Sequence, residues 1–74
     1  MKANEAVRRI MEEQGVGVAQ VAKRMDKTSR LVCDRLAMDN ISIVKLNELL
    51  RVLDYKAVII PQDAKVPKGG YEIE

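Results

Sequence analysis

The chain has 74 residues, a formal net charge of +2, one cysteine and no histidine. A chain of this length forms one small domain, and a single cysteine without histidines excludes an internal disulfide and the usual zinc sites. No apolar run approaches the roughly 18 residues of a membrane span, and no apolar stretch typical of a signal peptide follows the first methionine. We therefore expect a cytoplasmic protein with no cofactor and no membrane contact.

Two amphipathic helices are expected in the first third of the chain. Asn4 can cap a first helix that runs to about Gln14, where Gly15 ends it. A second helix is expected from about Val18 to Met25, because apolar residues recur there at helical spacing. This second helix is too short to be stable alone, so it must pack against the rest of the domain.

Two capped helices are expected next. After a short turn, Thr28 can cap a third helix that runs to about Met38. Ser42 can cap a fourth helix that runs to about Asp54. The apolar stripe from Ile43 to Leu53 is the widest in the chain, which predicts that the fourth helix is the main core helix.

The composition changes after the fourth helix. Residues 56–60 are mostly β-branched and are predicted to form a strand that ends at Pro61. Residues 71–74 alternate apolar and acidic side chains, as a second strand of a hairpin would. The predicted fold class is therefore mostly α, with a four-helix domain at residues 1–55 and a short C-terminal strand or hairpin at residues 56–74.

Positive charge is concentrated in the middle of the chain. Residues 17–38 contain five basic and two acidic side chains, whereas residues 39–74 contain five basic and six acidic ones. A positive segment of this kind is typical of a face that meets a polyanion such as DNA. An ordinary solvated surface can carry the same pattern, so charge alone does not decide.

Two short helices joined by a tight turn are the helix-turn-helix arrangement of many DNA-binding proteins. Residues 18–36 resemble the motif of the lambda-repressor-like, or Xre/Cro, family of transcriptional regulators. Ala22 stands where that family has a small residue at the helix contact, Val32 where it has an apolar one, and Thr28 where Ser or Thr caps the recognition helix. The resemblance extends over residues 4–55.

Two residues depart from the family pattern. Asp26 stands in the turn where the family usually has glycine, and aspartate tolerates a left-handed backbone better than most residues. Val18 replaces a glutamine, so a usual phosphate contact is missing. The resemblance implies a sequence-specific regulator, most simply a repressor of a phage, mobile element or bacterial chromosome, whose recognition helix enters the major groove.

The start of the third helix is expected to read base edges. Arg30 is the first candidate, because arginine can bind guanine through two hydrogen bonds that discriminate by about 1–3 kcal/mol. Its expected neighbours at the bases are Ser29, Leu31 and Asp34, although Leu31 fits the core equally well if the helix is rotated. The expected phosphate contacts are Gln20, Lys23, Arg24, Lys27, Thr28 and Arg35.

The apolar C-terminal extension is expected to join two copies of the chain. Pairing of its strand with a symmetry mate would hide an exposed edge and stabilise a small domain. Twofold symmetry would then place two recognition helices about 34 Å apart, one turn of DNA. The residues expected at this homodimer interface are Ala57, Val58, Ile59, Ile60, Tyr71 and Ile73.

Protein binding, RNA binding and catalysis are the alternatives to DNA binding. The helix-turn-helix fold also occurs in protein-binding modules, such as an antitoxin-like protein whose tail covers a toxin. RNA binding by the same basic surface is the weakest hypothesis, because single-strand readers need stacking aromatics and this chain has only two tyrosines. Catalysis is not expected, because no histidine is present to act as a base and neither serine nor cysteine has a partner at usable spacing.

Overall fold

The computed structural model describes all 74 residues and is mostly helical. Its four helices are α1 (Ala3–Gln14), α2 (Val18–Met25), α3 (Ser29–Leu36) and α4 (Ile43–Arg51). All four predicted helices are therefore present, although α3 and α4 end two and three residues earlier than expected. None of them is both long enough and apolar enough to cross a lipid bilayer.

One aliphatic core joins the four helices. Each helix contributes at least one side chain with no exposed surface, namely Val7, Val21, Val32 and Leu49. Burial against this shared core explains why α2 and α3, each of eight residues, are stable as helices. The full core cluster is Val7, Ile10, Met11, Val21, Ala22, Val32, Leu36, Leu46, Leu49, Leu50 and Leu53.

Side-chain caps start the last two helices where the sequence predicts them. The Thr28 hydroxyl oxygen accepts a hydrogen bond from the Leu31 backbone N–H at 3.2 Å. The Ser42 hydroxyl oxygen accepts one from the Lys45 backbone N–H, also at 3.2 Å. Each bond satisfies one of the backbone donors that a helix start leaves without a partner.

Left-handed residues end the first two helices. Gly15 follows α1 with a φ of 65° and Asp26 follows α2 with a φ of 57°. The Asp26 backbone N–H donates to the Lys23 carbonyl at 3.1 Å, and this closes α2 before the turn into α3. Asp26 therefore adopts the left-handed backbone conformation in place of the glycine that the family pattern has at this turn.

Asn4 does not cap α1, and that prediction is wrong. The helix begins at Ala3 with Lys2 at the cap position, and Asn4 lies inside it with only 8% of its surface exposed. Its Nδ2 donates to the Leu36 carbonyl at 3.0 Å. The physical reason is that the last carbonyls of α3 need donors, and α1 passes close enough to supply one.

The apolar stripe of α4 is buried over only part of its length. Leu46, Leu49 and Leu50 are buried, whereas Ile43 and Val44 are 59% and 67% exposed. The prediction that Ile43 belongs to the core is therefore wrong. The core covers the later turns of α4 and leaves its first turn in solvent.

The predicted C-terminal strand or hairpin is absent. Residues 56–74, which we call the strap, contain turns and irregular backbone only. The two segments expected to pair do not meet in a ladder: Tyr71 contacts Glu13 near the end of α1, and Glu74 contacts Met1. The Glu74 backbone N–H donates to the Met1 carbonyl at 3.0 Å. A strand needs a neighbour, and the single chain gives residues 56–60 none.

Polar contacts hold the strap against the helices. The Tyr71 hydroxyl donates to the Glu13 carboxylate, and the Tyr55 hydroxyl donates to the Gly69 carbonyl at 3.2 Å. The hydrogen bond to Glu13, with burial and the Glu13 charge adding to it, raises the pKa of Tyr71 to about 12. The protonated hydroxyl of Tyr71 stabilises the fold, so this contribution is fully present below the ordinary tyrosine pKa of 10.0. It is lost as the pH rises through the folded-state pKa of about 12.

The left-handed turn after α2 gives a stability test. We expect Asp26→Gly to be more stable than Asp26→Ala by about 1 kcal/mol, because glycine adopts a positive φ without a Cβ clash. At the exposed helical residue Ala19 the order should reverse. Ala19→Gly should be less stable than the parent, because glycine inside a helix costs about 1 kcal/mol relative to alanine. Urea unfolding of the three variants and the parent measures both differences. An equal or higher stability of Asp26→Ala would contradict the left-handed assignment.

Candidate nucleic-acid interface

The packing of α3 decides which of its side chains face solvent. Val32 and Leu36 lie in the core with 0% and 1% exposed surface. Because these two residues are one helical turn apart, they anchor one side of α3 and turn the opposite side outward. Arg30 and Asp34 are exposed on that outward side, and Ser29 is exposed because it is the first residue of the helix. The structure therefore leaves three of the four predicted base-reading side chains uncovered.

Leu31 and Cys33 complete the visible surface of α3. Leu31 is half-buried, so it neither joins the core cluster nor stands free in solvent. Cys33 is exposed as a free thiol. Leu31 thus remains available at the edge of the α3 surface for an apolar contact.

A shallow depression of about 360 Å3 lies between α3 and the start of α4. Its lining includes three cations, Arg30, Arg35 and Lys45, and one carboxylate, that of Asp34. Lys45 is a residue that the sequence analysis did not select. The signal that could have found it is its place three residues after the Ser42 cap, at the start of the helix that follows α3. The lining residues are Thr28, Arg30, Leu31, Asp34, Arg35, Met38 and Lys45.

Four of the six residues predicted to contact phosphate lie on α2 or in the turn after it, and they fall into two groups. Lys23 and Lys27 are exposed and take part in no hydrogen bond or ion pair through their ammonium groups. Gln20 and Arg24 are exposed but engaged: the Gln20 Oε1 accepts from the Gly17 N–H at 2.9 Å, and Arg24 donates to a carbonyl of the α4 end at 3.1 Å. Only the two lysines are thus fully free to bind an anion.

Arg35 is placed differently from the other predicted phosphate contacts. Its guanidinium Nη1 lies 3.0 Å from the Glu48 carboxylate, and only 11% of its side chain is exposed. This ion pair connects α3 to α4. The structure therefore gives Arg35 a bracing role, and the same side chain lines the depression beside Arg30 and Lys45.

Donors from α1 fix the C-terminal end of α3. The Leu36 carbonyl accepts hydrogen bonds from Asn4 Nδ2 at 3.0 Å and from Arg8 Nη2 at 3.2 Å. Together with the Thr28 cap and the Arg35–Glu48 pair, these bonds hold α3 at its start, its side and its end. A helix held in this way presents its outward side chains from a fixed position.

The chain has no match among known protein families, characterised proteins or solved structures. The surface geometry and the helix-turn-helix pattern of residues 18–36 are therefore the two indications of function. That geometry consists of an uncovered helix surface, two free lysines beside it and a third lysine across a shallow depression.

The Arg35–Glu48 pair predicts a difference between two truncations of basic side chains. Arg35→Ala should lower the free energy of unfolding by about 1–2 kcal/mol, because it removes a mostly buried side chain and leaves Glu48 without its partner. Lys23→Ala, at an exposed side chain with no partner, should change it by less than about 0.5 kcal/mol. Chemical unfolding of both variants measures the difference. Equal stabilities would show that Arg35 does not brace α3.

Proposed function

We propose that this protein binds double-stranded DNA sequence-specifically and acts as a lambda-repressor-like transcriptional regulator, most simply a repressor. The observation that carries the proposal is the exposure of Ser29 and Arg30 at the start of α3, next to a helix and turn that present free lysines. An α-helix fits the major groove of B-DNA when its outward side chains are unobstructed. No part of the strap or of α1 covers this end of α3.

Arg30 is the best-placed base reader. Its side chain is exposed and forms no hydrogen bond or ion pair within the protein, so all its donors are free. A free guanidinium near the start of a recognition helix can bind the O6 and N7 atoms of guanine together. Asp34 lies one turn further along the same surface, where a carboxylate can accept from a cytosine amine.

Phosphate contacts would position the helix without reading sequence. Lys23 on α2 and Lys27 in the turn supply positive charge before α3, and Lys45 supplies it across the depression. The start of α3 adds backbone N–H groups and the positive end of the helix dipole, both of which favour a phosphate. The Thr28 hydroxyl accepts from Leu31 and keeps its own proton free to donate to a phosphate oxygen.

Replacing Arg30 tests base reading. Selection of bound duplexes from a random pool should yield a preferred site for the parent protein. Arg30→Ala should then relax the preference at one position by about 1–3 kcal/mol, because alanine cannot form the bidentate hydrogen bonds to guanine. Its thermal midpoint should stay nearly unchanged, since the side chain is exposed and unpaired. Arg9→Ala, which removes an exposed arginine of α1, is the matched control and should leave the preference intact.

Two results would count against this assignment. Unchanged sequence preference in Arg30→Ala would remove Arg30 from the recognition surface. A large loss of folding stability in the same variant would show that Arg30 is structural.

Salt dependence tests the phosphate contacts. Removing one lysine that neutralises a phosphate should reduce the slope of log affinity against log salt by about 0.9. Lys27→Ala should therefore weaken binding uniformly across sequences and lower the slope by that amount. Lys65→Ala, in the strap, is the control and should leave the slope as in the parent. Affinity that does not vary with salt in the parent would argue that the surface does not meet a duplex.

A protein-binding module, such as an antitoxin-like protein, is the second candidate. The specific observation that favours it is the exposure of large apolar side chains in the strap, with Val58 at 59% and Ile59 at 102%. Exposed apolar patches commonly mark protein contacts. A module of this kind would show no duplex affinity even at low salt, which separates it from the DNA-binding proposal.

A further inference from the structure

Asp34 carries a charge that no other group of the protein binds. Its side chain is exposed, and its carboxylate takes part in no side-chain hydrogen bond and no ion pair. Arg30 lies four residues earlier on α3, a spacing at which opposite charges can pair, but the two form no ion pair. The basic residue precedes the acidic one, which is the weaker order for such a pair. The carboxylate is therefore free to accept a hydrogen bond from outside the protein.

The place of this charge is unfavourable both for the helix and for phosphate binding. Asp34 lies in the last turn of α3, where the negative end of the helix dipole repels a carboxylate. It also lies on the surface proposed to meet DNA, where phosphate groups repel it whatever the sequence of the duplex. A hydrogen-bond donor on a base edge is the contact that would offset both effects.

The four bases differ in what they offer a carboxylate in the major groove. Guanine presents acceptors only, and thymine presents an acceptor and a methyl group, so neither can donate to a carboxylate. Adenine presents a donor, but its N7 acceptor lies beside that donor and repels a carboxylate oxygen. Cytosine presents its N4 amine without a neighbouring acceptor of its own. The chemistry of Asp34 therefore favours cytosine over the other three bases.

The spacing of Arg30 and Asp34 limits how far apart their bases can lie. Both side chains line the same depression between α3 and α4. Four residues of an α-helix span about 6 Å, and successive base pairs are about 3.4 Å apart. A cytosine bound by Asp34 therefore lies within about two base pairs of a guanine bound by Arg30.

We propose that Asp34 makes DNA binding sensitive to the chemical state of one cytosine, so that a free N4 amine is bound and an N4-methylated amine is rejected. One hydrogen of this amine pairs with guanine, and the other faces the major groove. In a paired N4-methylcytosine the methyl group takes the groove position, because the remaining hydrogen is held by guanine. Asp34 then meets a methyl group, and its carboxylate is left in the interface without a donor.

This inference rests on the proposed DNA-binding function and adds a form of regulation to it. Methylation of one amine would release the protein from its site without any change in the DNA sequence. The contact of Arg30 with guanine O6 and N7 does not involve the cytosine amine. The guanine preference and the sensitivity to methylation can therefore be measured separately.

Binding of the full chain to modified duplexes tests the inference. The site selected from a random pool should contain a cytosine preference within about two base pairs of the guanine preference. N4-methylcytosine at that position should weaken binding of the parent by about tenfold, because the carboxylate loses its donor. The same modification at a cytosine outside the selected site controls for changes in the duplex itself and should leave the affinity unchanged. Fluorescence anisotropy at one fixed salt concentration measures the dissociation constants.

Two replacements of Asp34 separate its hydrogen bond from its charge. Asp34→Ala should bind methylated and unmodified sites equally, and it should bind unrelated duplexes more tightly than the parent because a repulsive charge is removed. Asp34→Asn should move the preference from cytosine to adenine, since an amide binds adenine N6 and N7 together. Asp63→Ala, which removes an exposed acid of the strap, is the matched control and should keep the sensitivity to methylation. Both Asp34 variants should retain the helical circular dichroism of the parent, because the side chain is exposed and unpaired.

A parent protein that binds methylated and unmodified sites equally would overturn the inference, as would an Asp34→Ala variant that still discriminates between them. A selected site without a cytosine near the guanine would overturn it as well. If the guanine preference and its loss in Arg30→Ala persist in those cases, the DNA-binding proposal stands and only the role of Asp34 is lost. A parent without any duplex affinity would overturn both.

Discussion

One side of α3 is buried against α2 and the other helices, and this packing determines which surface the domain presents. Ala22 of α2 and Val32 and Leu36 of α3 are each at most 3% exposed, and they belong to one core cluster. Val32 and Leu36 are the two buried residues of this eight-residue helix, and their burial fixes its rotation. That rotation turns Arg30 outward. The proposed function is therefore a consequence of packing, because the same residues that stabilise α3 decide which surface it presents.

Polar contacts add to the packing of the small core in holding α3 in place. The core has no aromatic side chains and cannot fix a short helix as firmly as a larger one would. The Leu36 carbonyl is bound by Asn4 and Arg8 from α1, and the Arg35–Glu48 pair ties α3 to α4. Arg8 and Arg35 are charged side chains that surface charge alone would assign to ligand binding. Their effect is to hold the outward face of α3 at a fixed angle while leaving it free.

Local signals in the sequence predicted the local features of the fold. The Thr28 and Ser42 caps and the turn at Asp26 depend on residues within four positions of one another, and each is present. Features that depend on distant neighbours were not predictable in this way. Asn4 has the side chain of a cap but serves a carbonyl 32 residues away, and the strap resembles a strand but has no partner within one chain. The exposed face of α3 depends on both local and distant residues. Helical periodicity predicted this face, and packing against the core fixed it.

Mapping of backbone amide shifts by nuclear magnetic resonance can show directly whether α3 meets a DNA duplex. Duplex DNA of mixed sequence should be added to the full chain at low salt, where phosphate contacts dominate binding. We expect shifts concentrated from Lys23 to Asp34 and around Lys45, with little change in the strap. Shifts centred on residues 56–60, or no shifts at any DNA concentration, would contradict the assignment of α3 as the surface that meets a duplex.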